Sequence, residues 1–224
     1  MTRDRLRSRF PGRIREAVKD AALRQLAEGG PGALSINAIA RELEVSGPAL
    51  YRYYAGRDEL LTDLVLDAYG DLATALEAAT TGTPHERLMA FAGAYRDWAL
   101  AQPHRYRLLF RPPLPSYDAH ADVLVDAAQR AMNLLLAILA DLPRPPEAAA
   151  RPVGTSAAAL ASWVERRGIA AAMAPNALQG IVLWSRLHGL VSLEIDGNYA
   201  SIGLDPVPLY ATEVADVPLT YPVS

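Results

Sequence analysis

Cysteine is absent from the 224 residues, which excludes disulfides and thiolate metal sites and leaves a redox compartment compatible with the cytosol. Lysine is almost absent as well: Lys19 stands alone, and arginine supplies nearly all the positive charge. The four histidines, His85, His104, His120 and His188, show no metal-ligand spacing and no His-Glu-x-x-His pattern. There is no glycine-rich phosphate loop and no nucleophile-elbow signature, so neither an enzyme nor a bound cofactor or metal is expected. No uninterrupted apolar run approaches the roughly 18 residues that a membrane helix needs. With no signal-peptide pattern at the start either, the expectation is a soluble, cytoplasmic protein without a membrane partner.

What the chain does have is alanine and other apolar residues, 51% of the total. That supports a sizeable helical core in one large or two small domains. The net charge of −3 alone argues against nucleic acid, but its distribution does not. Residues 1–57 hold eleven basic side chains against six acidic ones, a balance of +5. The remaining 167 residues hold eleven against nineteen, a balance of −8. A basic first quarter on an acidic body fits a DNA-reading domain joined to one with another task.

The most informative stretch is residues 35–61, SINAIARELEVSGPALYRYYAGRDELL. Ile36, Ile39, Ala40 and Leu43 recur at helical spacing, with Ser35 ahead of them as an N-cap. Gly47 and Pro48 break this helix, and Pro48 suits the first turn of a second one, predicted over 49–54. Asp58 and Glu59 open a third, placing acidic charge at its N-terminus. Two short helices joined by a tight turn describe a helix-turn-helix, whose second helix enters the DNA major groove. Leu50 and Tyr54 face the first helix, which turns Tyr51 and Arg52 outward. A guanidinium beside an aromatic hydroxyl suits a phosphate-lined groove. The same pattern also fits a plain helical hairpin with a solvated arginine and a tyrosine laid over the core.

Ile39-Ala40, Val45-Ser46, Leu50-Tyr51-Arg52-Tyr53-Tyr54 and Arg57-Asp58-Glu59-Leu60-Leu61 resemble the N-terminal signature of the tetracycline-repressor-like (TetR/AcrR) transcriptional regulators, over roughly residues 13–66. The resemblance implies that Ser35 and Ser46 meet phosphates at helix N-termini. It also implies that Tyr51 and Arg52 contact backbone or bases and that Arg57 contacts a phosphate. Departures fall at Gly47, Pro48 and Ala49, where a basic residue, a glycine and a hydroxyl residue are common. They leave Pro48 and Ala49 for apolar contact with thymine methyls. The Trp184, His188 and Gly189 of WSRLHG resemble the WHG type of C-terminal domain in the same family. That likeness implies a homodimer joined by the last two long helices as a four-helix bundle.

Elsewhere, periodicity predicts a first helix over 12–28 and a connector helix of about 20 residues over 60–79. A further helix over 84–101 has Thr83 as cap, Pro84 at its first position and Glu86 closing a capping box. Helices over 116–142, 156–167 and 175–195 follow, with a proline-rich loop at 143–154 and a short helix near 209–214. The arginines at positions 3, 5, 7 and 9 read either as a loose terminus or as a basic arm along DNA. The set Tyr95, Trp98, Tyr106, Phe110, Met132 and Trp163 reads either as the lining of a site for a largely apolar or aromatic effector or as ordinary core. Ala157, Leu160, Ala161, Val164, Ala177, Ile181, Trp184, Ser185 and His188 lie on helices whose apolar surface fits core or subunit interface. His188 reads most simply as a hydrogen-bonded core or interface histidine.

The fold expected is therefore all-α, with three parts: a helix-turn-helix head over 1–57, a connector over 58–82 and an effector-binding and dimerisation body over 83–224. The function expected is a ligand-responsive homodimeric repressor on a palindromic double-stranded DNA operator. The alternative is a helical interaction or ligand-binding protein whose helix pair never meets DNA.

Overall fold

The computed structural model describes residues 11–78, 81–111, 117, 122–142, 157–170 and 173–215. The arginine-rich stretch 1–10 and the proline-rich loop 143–154 lie outside the described residues. Among those described, all regular structure is helical, and the fold is all-α with a helix-turn-helix head and a larger helical body. The helices are α1 (Pro11–Gly29), α2 (Ile36–Glu42), α3 (Gly47–Leu50), α4 (Arg57–Ala78), α5 (Pro84–Ala101) and α6 (Pro103–Phe110). They continue with α7 (Asp122–Ala140), α8 (Ala157–Arg166), α9 (Ala177–Ile195), α10 (Asn198–Ser201) and α11 (Pro206–Ala215). The chain divides into two compact units, Met1–Tyr69 with His104–Val125, and Gly70–Pro103 with Asp126–Ser224.

In the first unit, α1 lays Val18, Ala21, Ala22 and Leu26 against Ile36, Ile39 and Ala40 of α2. Leu50 and Tyr54 join that core, with Leu60, Leu61, Leu64 and Val65 of α4 closing it. Ser35 caps α2 by accepting the amide of Ala38, and its own amide donates to the Gln25 side chain at 2.9 Å. An Arg24–Glu42 ion pair at 2.6 Å ties α1 to α2. The core extends beyond what the N-terminal pattern suggests, because Leu108 and Leu124 are also part of it. Leu108 belongs to α6, a stretch that shows no helical signal beyond its opening proline.

The second unit is built around α9, which packs on α5 and α11. The predicted capping box is present: the Thr83 side chain accepts the Glu86 amide while the Glu86 carboxylate accepts the Thr83 amide at 2.8 Å. Arg96 and Glu194 join α5 to α9 through two hydrogen bonds, the one from Nε at 2.8 Å. The Tyr210 hydroxyl of α11 donates to the Ala92 carbonyl at 2.8 Å. A methyl added at Gly180 would come within 2.5 Å of a Leu136 methyl, so its lack of a side chain is what lets α9 approach α7. By length and composition α7 is long and apolar enough to cross a membrane, which a search for unbroken apolar runs passes over. One stripe of it, Ala131, Leu135, Leu136, Ile138 and Leu139, is buried.

Candidate nucleic-acid interface

The second helix of the motif is shorter than its sequence pattern. The helix proper runs over Gly47–Leu50, and residues 51–53 continue as turns. The amides of Tyr53 and Tyr54 both donate to the Leu50 carbonyl, at 2.8 and 3.1 Å. This double use of one acceptor tightens the chain and ends the helix. Pro48 contributes from the other end, since it fits a first turn and could not sit deeper. Between the two helices Glu44 takes a positive φ of 52°, which makes the break after α2 abrupt.

That geometry sorts the residues around the end of the helix. Leu50 and Tyr54 are buried, whereas Tyr51 is 47% exposed and Arg52 is exposed. Ser46 precedes α3 without a side-chain capping bond, so its hydroxyl is not spent on the helix. Ser35 differs, because its oxygen already accepts the Ala38 amide at 3.3 Å. Pro48 is exposed, while Gly47 and Ala49 are half-buried. Arg57 is half-buried at the first position of α4. The structure thus leaves Tyr51, Arg52, Ser46 and Pro48 on open surface, and Gly47, Ala49 and Arg57 less so.

Behind this surface lies a polar cluster that the sequence pattern does not reveal. The Tyr54 hydroxyl donates to Asp63 Oδ2 at 2.7 Å. Lys19 Nζ lies 3.3 Å from the same oxygen and 2.7 Å from Asp67 Oδ2. The Arg15 guanidinium sits 5.4 Å over the Tyr54 ring and donates to the Tyr53 carbonyl at 3.4 Å. Burial, together with the hydrogen bond to Asp63, pushes the Tyr54 hydroxyl far above its ordinary value of 10. For Lys19, desolvation is outweighed by Asp67 and Asp63, and its pKa rises above 10.5. No spacing rule joins positions 15, 19, 54, 63 and 67. The cluster exists because α1, the turn after α3, and α4 converge.

The six candidate effector residues fall in both units: Tyr106 and Phe110 in the first, Tyr95, Trp98, Met132 and Trp163 in the second. In the first, the rings of Tyr106 and Phe110 lie 5.0 Å apart. In the second, Tyr95 is fully buried, its ring 5.0 Å from Trp184 and its hydroxyl 3.3 Å from His188 Nδ1. The histidine is therefore hydrogen-bonded. The Trp98 Nε1–H is buried without a hydrogen-bond partner among the described residues.

For the interface candidates, Ala161 and Ser185 are exposed, and Leu160, Val164 and Ile181 are half-buried. Trp184 and His188 turn toward Tyr95 of their own chain. Ala177 corrects the expectation from helix composition: it is fully buried within its own chain and offers no surface to a second copy. Apolar composition cannot separate those two fates. Ala157 opens α8, and its side chain lies outside the described residues.

Comparison with known proteins agrees with this architecture. Residues 19–64 match the profile of bacterial regulatory proteins of the tetR family, and residues 88–217 match that of a tetracyclin repressor-like C-terminal domain. The HTH-type transcriptional regulators Mb1846 of Mycobacterium bovis and Rv1816 of Mycobacterium tuberculosis are each 31% identical over 198 residues, 84% of this chain and 83% of theirs. Among solved structures, SCO4313 is 37% identical with a TM-score of 0.73, covering 97% of this chain and 98% of that one. The TetR family regulator PfmR from Thermus thermophilus, at 18% identity and a TM-score of 0.57 over 91% and 97%, shares the fold.

Proposed function

Because the chain belongs to the tetracycline-repressor (TetR) family of DNA-binding transcriptional regulators, we propose that it is a ligand-responsive homodimeric repressor of a near-palindromic operator, at work in the cytoplasm. The observation that carries this reading is the bare surface of Tyr51 and Arg52, next to a fully packed Leu50 and Tyr54. On DNA, Arg52 neutralises phosphate, and Tyr51 donates to phosphate or packs on a sugar or a thymine methyl. Pro48 and Ala49 supply further apolar contact, Ser46 and Ser35 meet phosphates beside Gly47, and Arg57 reaches the backbone from the start of α4.

Functionally the head is assigned to 1–57, the connector to 58–82 and the body to 83–224. Dimerisation through α8 and α9 uses Leu160, Ala161, Val164, Ile181 and Ser185. Two heads on successive major grooves stand roughly 34–36 Å apart. An effector that favours one state of the body changes that separation and releases the operator. The Trp98 Nε1–H, buried and without a hydrogen-bond partner among the described residues, supports an effector that is mostly apolar or aromatic yet carries one hydrogen-bond acceptor.

Selection of bound duplexes from a random pool tests this reading. An inverted repeat with half-sites one helical turn apart is the expected result. Recovery of no motif would overturn it.

A further inference from the structure

Tyr54 has a hydroxyl that its packing role does not require. The ring is 2% exposed and fills the core between α2, α3 and α4, a space that phenylalanine would fill as well. What the oxygen adds is direction. It donates to Asp63 at 2.7 Å, and Asp63 also faces the Lys19 ammonium at 3.3 Å. Lys19 in turn holds Asp67 at 2.7 Å, one turn further along α4. Arg15 completes the node from α1 by binding the Tyr53 carbonyl and lying over the Tyr54 ring.

The place of this node matters because α3 is only four residues long. A helix that short does not hold itself, since one turn cannot recover the entropy of its own nucleation. Tyr51 and Arg52 lie beyond its last residue, in a turn closed by the amides of Tyr53 and Tyr54, which both donate to the Leu50 carbonyl. Apolar packing under Leu50 is strong but non-directional. The polar bond from Tyr54 to Asp63 is directional, and it acts two residues from Arg52.

We infer that Asp63, which sits behind the DNA-facing surface, is a positioning residue for operator reading: by holding the Tyr54 hydroxyl and Lys19 together it fixes the tilt of the turn that presents Tyr51 and Arg52. The inference rests on the operator-binding reading above. It separates specific from non-specific binding, because phosphate attraction tolerates a tilted turn while base-edge contacts do not.

The test measures affinity for the selected operator and for a random duplex, across a salt series and well below the unfolding midpoint, in the full-length protein. Tyr54→Phe and Asp63→Ala should each weaken operator binding tenfold or more with the wild-type salt slope retained. Random-duplex binding should stay within twofold for Tyr54→Phe. It should hold or tighten for Asp63→Ala, which removes a negative charge. Asp63→Asn, which keeps an oxygen for the Tyr54 hydroxyl, should recover most of the operator affinity. If Asp63→Ala does not fold, Tyr54→Phe, which loses a single oxygen atom, decides the matter. Operator affinity within twofold of wild type in folded variants would overturn the inference, leaving the node a stabilising feature alone. An equal fall on both duplexes would overturn it too. A wild-type protein that binds no duplex would overturn the operator reading and this inference together.

Discussion

Arg52 and Tyr51 share one turn but should fail in different ways when changed. Arg52→Ala removes one phosphate contact, so binding to every duplex should weaken and the slope of log affinity against log salt should flatten by about one. An unchanged slope in a salt titration would remove Arg52 from the interface. Tyr51→Phe keeps the ring and should reduce operator affinity through the lost hydroxyl; equal affinity would make the hydroxyl idle. Glu86 offers a test in the body. The Thr83 amide and then its hydroxyl hold the Glu86 carboxyl below its ordinary 4.5. A group depressed on folding contributes stability above its unfolded pKa and loses it as pH falls through the folded value. Acid titration of thermal stability should therefore lose this contribution below about pH 4.5, and Glu86→Gln should flatten that limb. At this scale the outward pair at 51 and 52 was legible, because periodicity alone says which side of a helix is apolar. The Tyr54–Asp63–Lys19 node was not, because positions 19 and 63 meet only once three helices have converged.

Among elements, the fate of α3 and α6 shows what local pattern can and cannot convey. Residues 49–54 carry a helical spacing, yet the helix stops at Leu50. The Leu50 carbonyl is taken by two amides, a competition that no propensity records. Residues 104–110 carry little signal, yet α6 forms from Pro103 because Leu108 finds a place in the head's core. Tertiary burial settles what propensity leaves open. The capping box at Thr83 lies at the other extreme, since all its partners sit within three residues. Close approach of α7 and α9 is an element-scale property and has its own test. Gly180→Val places a branched side chain where even one methyl meets Leu136 at 2.5 Å. Overpacking of this kind costs about 1–3 kcal/mol, so calorimetry should show a lowered unfolding midpoint. An unchanged midpoint would mean that Leu136 moves aside freely.

For the whole molecule the governing quantities are charge and symmetry. The +5 of residues 1–57 against the −8 of the remainder concentrates attraction for DNA in the head while the acidic body repels it. The sequence made that split plain, along with the all-α class and the two-part plan. It could not say which apolar helix surface faces a second copy, since core and interface use the same residues, as Ala177 illustrates. Ile181→Glu combined with Ser185→Glu should yield monomers in sizing experiments and, with only one head per molecule, weaken operator binding. Persistent dimers would place the interface elsewhere. A last consequence follows from Lys19, which is both the chain's only lysine and a side chain just 12% exposed between two carboxylates. Apart from the amino terminus, the 224 residues offer acylating reagents and acetyltransferases a single amine, and it is largely covered. Such chemistry passes over the guanidinium groups that would grip the operator, so that grip should be indifferent to the acetylation state of the cell.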